Sequence, residues 1–136
     1  MAVLTLSGTS LGASLSEPAL RGTLSCPQRE DPGRVACELS IGCPASERIV
    51  WADALVRETP AFVTPLRARV LAPVAPAGAE QVRVQIAFVA RELGRAEVLL
   101  EARSVLCPTK SNEAAEHRQA CITKTELVRG EMLIGH

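Results

Sequence analysis

Between residues 82 and 106 the chain alternates apolar and polar side chains with a period of two. Val82, Val84, Ile86 and Phe88 take every second position, with Arg83 and Gln85 between them. Past Gly94 the pattern resumes, as Ala96, Val98, Leu100, Ala102 and Ser104 interleave with Glu97, Glu101 and Arg103. Successive side chains of a strand point to opposite faces, so each run has one apolar and one polar side. The spacing predicts adjacent antiparallel strands over 82–90 and 96–106, with Val84, Ile86, Phe88, Val98 and Leu100 buried.

Strand-like runs separated by turn residues cover most of the rest. Val3, Leu4 and Leu6 begin one that Gly8 and Gly12 break. ALRGTLSC (19–26) and RVACELSI (34–41) flank Asp31-Pro32-Gly33, which predicts a hairpin over 19–41. RIVWADALVRE (48–58) and LRARVLAP (66–73) follow, and CITKTELVRGEMLI (121–134) reads as one or two closing strands. Trp51, in an apolar run, is expected as a core anchor between two sheets. The one helical signal is a short turn in the 108–120 loop, where Ser111 or Asn112 caps Glu113 to Glu116. The prolines are spread among the turns, as residues excluded from central strands should be. Seven to eight short strands without alternating helices predict an all-β, antiparallel, immunoglobulin-like sandwich; a barrel is the other solution.

The 136 residues fit a single domain, 1–136, large enough to bury its apolar surface without a covalent staple. With two Phe, one Trp and no Tyr, the core is built from Val, Leu, Ile and Ala. Net charge is zero overall and nearly flat in each half: six Arg against seven acids over 1–68, nine bases against eight acids over 69–136. Without a basic stripe or an aromatic set, the chain is not expected to bind nucleic acid. No stretch is long enough to cross a bilayer as a helix, and MAVLTLSGTSLGASL lacks the basic start and continuous apolar block of a signal peptide. Either the protein is cytoplasmic, or Met1 stands where a signal has been removed.

Five cysteines favour the second alternative, a secreted or periplasmic protein, because disulfides persist in oxidising compartments. Cys107 ends one predicted strand and Cys121 opens another, so a bond between them would close the polar loop and stabilise the fold by about 3 kcal/mol. Cys26 and Cys37 flank the Asp-Pro-Gly turn; Cys26 pairs with Cys37 or with Cys43, since spacing alone does not settle connectivity. Cys107, His117 and Cys121 could instead hold zinc, but the tight two-cysteine knuckle of such sites is missing. A redox pair needs an activated thiolate, for which Lys110 and a possible helix after Cys107 are the hint. No nucleophile elbow and no glycine-rich phosphate loop occurs. Glu97 and Glu101 alternate along a strand as solvated residues do. No cofactor is expected.

The stretch VRVQIAFVARELGRAEVLLEARSVLCPTK, with ACITKTELVRGEM after it, resembles the β-sandwich modules appended to thioredoxin-like proteins with NHL repeats. It is more distantly similar to the amino-terminal domains of thiol:disulfide interchange proteins. In those families a long strand ends in a cysteine and, after a loop, a second cysteine opens the last strand. Cys107 and the Cys121-Ile122 step take those positions here. The resemblance covers about residues 82–130 and implies a sandwich fold, with thiol-disulfide exchange at Cys107 and Cys121 as an associated activity.

The missing catalytic and cofactor signatures point to a non-catalytic, disulfide-stabilised sandwich that binds a protein partner or associates with itself. A thiol-disulfide redox domain is the alternative, and a zinc-stabilised intracellular module a weaker one. Val89, Leu99 and Val105 fall on the polar side of their strands, where an antiparallel sheet facing water should be polar. They are candidates for an interaction patch.

Overall fold

The computed structural model describes residues 20–109 and 120–135. Among these residues eight strands form: β1 (Arg21–Ser25), β2 (Gly33–Gly42), β3 (Glu47–Glu58), β4 (Val63–Pro65), β5 (Arg69–Leu71), β6 (Gln81–Ala90), β7 (Gly94–Pro108) and β8 (Ile122–Ile134). They make two antiparallel four-stranded sheets, ordered β1-β2-β6-β4 and β5-β3-β7-β8. This is an all-β sandwich of the immunoglobulin-like kind, as the alternation predicts. The Val3–Leu6 strand, the capped turn after Ser111 and His117 lie outside the described residues.

Each long strand buries its alternate side chains between the sheets. Val35, Cys37, Leu39 and Ile41 of β2 meet Val82, Val84, Ile86 and Phe88 of β6 in one sheet; Ala96, Val98, Leu100, Ala102 and Leu106 of β7 face them from the other. All five residues expected to be buried are in this core. Removing such a side chain from water stabilises the fold by about 1.5–3 kcal/mol each.

The two runs that predicted one hairpin belong to different sheets. β6 pairs with β2 and β4, whereas β7 pairs with β3 and β8. Alternation sorts side chains between faces and does not choose the neighbouring strand. Sheets stack roughly 10 Å apart, and three extended residues reach about 10 Å, so Arg91–Leu93 suffice to cross from one to the other. Gly94 enters β7 with φ +145°, and a Cβ there would lie 3.4 Å from the Phe62 ring. The segment also lacks the Asn-Gly or Asp-Gly step of a tight hairpin.

The first hairpin is as expected: β1 pairs with β2 from Arg21↔Gly42 to Ser25↔Glu38, which leaves Cys26 opposite Cys37. β4 has no counterpart in the sequence reading. It is three residues at a sheet edge, ending in Pro65, where a missing N–H costs no ladder bond. At the opposite edges β1 and β8 meet across two glycines. A Cβ on Gly130 would fall 2.9 Å from Leu24 Cβ, and one on Gly22 2.6 Å from Val128 Cγ2. The absence of side chains there lets the sheet edges close on each other. Arg29 N donates to Leu133 O (3.1 Å) and Gly135 N to Arg29 O (2.7 Å), which fastens this corner.

Candidate interaction face

The outward side of β5-β3-β7-β8 carries an arrangement unlike an ordinary wet sheet. Its register places side chains in rows across the strands. One row is Trp51, Val105 and Thr123; the next is Leu71, Asp53, Arg103 and Thr125; a third is Arg69, Leu55, Glu101 and Leu127. Leu99 lies farther along β7, opposite Glu58 and Arg129.

Trp51 reaches this face because of a bulge. The β3–β7 register shifts between Ile49 and Trp51, leaving Val50 as an extra residue. An extra residue reverses the parity of every position after it. Trp51 therefore stands half-buried on the outside and not between the sheets, contrary to the expectation of a core anchor.

Asp53 is the centre of the face. It points outward and yet is fully buried. Arg103, directly across on β7, donates from Nε to Oδ1 at 2.9 Å and from Nη2 to Oδ2 at 2.6 Å. Arg69 of β5 donates from Nε to Oδ2 at 2.6 Å. The two-pronged contact matches the planar fork of a guanidinium to a carboxylate. Arg103 holds the Asp53 pKa below its ordinary value; burial opposes this, and the bond from Arg69 reinforces it. The fixed Arg103 guanidinium also lies over the Trp51 ring, 5.8 Å from its centroid, within cation–π range.

Exposed apolar side chains stand among the polar ones around this knot. Leu71 is 57% exposed, Leu127 60% and Val50 41%. Leu99 and Val105 are half-buried here, while Val89 is not part of the face. Val89 pairs with Arg34 and Thr64 on the outside of the other sheet, so the three residues expected to form one patch are divided between opposite sides of the molecule. The division follows from the placement of β6 and β7 in separate sheets. Arg57–Glu101 (3.3 Å), Arg95–Glu131 (3.2 Å) and Arg129–Glu97 (3.9 Å) complete the charges on the β5-β3-β7-β8 side. Such exposed pairs add little stability.

Cys107–Cys121 forms as expected, and of the two partners open to Cys26 it is Cys37 that is bonded; each pair has Cα atoms 4.2 Å apart. Just beyond Cys107, Thr109 N donates to Ser46 O (3.1 Å) and ties down the end of β7. Cys43 is the free thiol, donating to Glu47 O at 3.3 Å. Burial pushes its pKa up, with Glu47 and Glu80 adding to the effect. The zinc reading loses two of its ligands, because the Cys107 and Cys121 sulfurs are bonded to each other. Among the described residues no group of three or more His, Cys, Asp or Glu is placed to hold a metal.

No family model matches the chain, and no curated protein does. Twelve solved chains show likeness, among them the following two. A type I cohesin, the seventh of ScaB from Pseudobacteroides cellulosolvens, has a TM-score of 0.41 and 13% identity over 85% of this chain and 92% of its own. A PapD-like domain of human CEP192 has a TM-score of 0.41 and 14% identity over 100% and 99%. Likeness this remote bears on neither chemistry nor partners. The resemblance of residues 82–130 to thiol:disulfide interchange modules gains no support from these comparisons.

The Asp53 knot is what the sequence reading missed. Its trace is an acid in the apolar run Ala52-Asp53-Ala54, which the core would accept only with cationic partners. Those partners, Arg69 and Arg103, are remote in sequence.

Proposed function

We propose that the chain is a non-catalytic, disulfide-stabilised sandwich module that binds protein, a second copy or a partner, through the outer face of β5-β3-β7-β8. The carrying observation is Trp51 beneath an Arg103 that Asp53 holds in place, bordered by Val50, Leu71, Val105 and Leu127. Tryptophan and arginine dominate the binding energy of protein interfaces, most of all near their centres. A guanidinium already held in place loses little freedom on docking. The two disulfides fit an oxidising compartment, and we place the module outside the cell or in the periplasm on that ground.

Trp51 is the only tryptophan and so reports on this face directly. Its emission should shift to the blue, and resist quenching by acrylamide, as protein concentration rises if the partner is a second copy. The same change should accompany titration with a purified partner if it is not. Leu127→Asp alters an exposed position and should weaken association at least tenfold with the melting temperature unchanged. Association that survives Leu127→Asp and leaves Trp51 emission unmoved would put the interface elsewhere.

A further inference from the structure

Ion pairing is divided unevenly between the two sides of the sandwich. All five ion pairs among the described residues lie on the β5-β3-β7-β8 side, where arginines and acids neutralise each other. On the outward side of β1-β2-β6-β4 the strand positions Arg21, Arg34 and Arg83 face a single acid, Glu38. Arg67, just past β4, and Arg91, beyond the end of β6, extend this surface, while Glu30 and Asp31 before β2 and Glu80 and Glu92 around β6 place acids at its ends. Arg91 donates to Thr64 Oγ1 and Ala61 O, and none of the five arginines meets a carboxylate among the described residues.

A cleft of about 280 Å3 opens on this surface between Arg34 and Arg67. Gln85 supplies a third polar group, and Ala36, Ala87, Leu66 and Val70 of β5 contribute apolar walls. Drug-sized ligands occupy pockets of roughly 300–1,000 Å3, so this one suits a single side chain with its stem. Two guanidiniums and an amide are donors matched to a carboxylate, which a guanidinium can grip with two parallel bonds. The small alanines let an extended chain lie close to the sheet.

We propose that this second surface binds an acidic peptide segment, with one Asp or Glu carboxylate seated between Arg34 and Arg67. The site opens on the β1-β2-β6-β4 side at the edge that adjoins β5, and its two arginines are not part of the Trp51 face. Nucleic acid fits less well, because bases need aromatic platforms. Trp51 is on the other side, Phe88 is in the core, and Phe62 is packed against the core beside Gly94.

The test is fluorescence anisotropy with a labelled peptide of alternating Glu and Gly, against a matched Gln and Gly peptide, at low and high salt. The Glu peptide should bind and the Gln peptide should not, with affinity falling as salt rises. Arg34→Gln and Arg67→Gln should each weaken binding roughly tenfold, the loss expected for a charge-assisted hydrogen bond. Arg129→Gln, on the other side, should leave it unchanged. All three positions are exposed, so unchanged melting temperatures will certify the variants as folded. Equal binding of the two peptides, or indifference to both cleft variants, would overturn the site. A heparin oligosaccharide or single-stranded DNA that binds more tightly than the Glu peptide would overturn the choice of partner.

Discussion

Asp53 shows how much one side chain can demand of its neighbours. A buried carboxylate left alone is prohibitively costly, and this one depends on three hydrogen bonds from two arginines. Asp53→Ala should therefore lower stability by about 3 kcal/mol, the low end for breaking a buried pair, since both arginines can rehydrate. Denaturant unfolding will measure it. The acid limb of stability gives a second readout. The Asp53 pKa is lowered in the fold, so its contribution is complete above the ordinary value of 3.8 and is lost as pH falls through the lower folded value. Melting temperature against pH should fall less steeply below 3.8 in Asp53→Asn than in the parent. Cys43 behaves in the opposite sense. Its pKa is raised, so little thiolate exists at neutral pH. In the native protein we expect one titratable thiol that reacts slowly, and five after reduction and unfolding. A native count of three or more would mean that a disulfide does not persist.

At the scale of strands, the inner faces of β6 and β7 could be read from residue spacing. The neighbours of each strand could not. Val84 and Val98 follow the same rule of alternation, yet nothing in that rule says whether their strands pair or face each other. Trp51 escaped for a different reason: a single inserted residue, Val50, reverses parity, and the apolar run around it carries no mark of the bulge. The cysteines were more legible, because a hairpin brings together residues at equal distances from its turn. The Asp53 knot joins three strands, and no local pattern announces contacts of that range. The glycine corner between β1 and β8 is equally hidden, and it carries a clear expectation. Gly130→Ala forces a methyl group against Leu24 and should cost about 1–3 kcal/mol. Leu24→Ala in the same chain should return part of that loss, and a double-mutant cycle of unfolding free energies will show the coupling. Purely additive effects would mean that the edges of the sheets do not depend on this contact.

Taken whole, the molecule is sewn only along its leaves. Cys26–Cys37 fastens β1 to β2 within one sheet, Cys107–Cys121 fastens β7 to β8 within the other, and the fifth cysteine is free. Each bond joins neighbours of one hairpin, 11 and 14 residues apart. Oxidation can therefore proceed on hairpins before the sheets dock, and an oxidised chain can still open along its core. Nothing covalent crosses that core except the backbone connections themselves. Two copies could trade a complete hairpin, its disulfide intact, without any thiol chemistry.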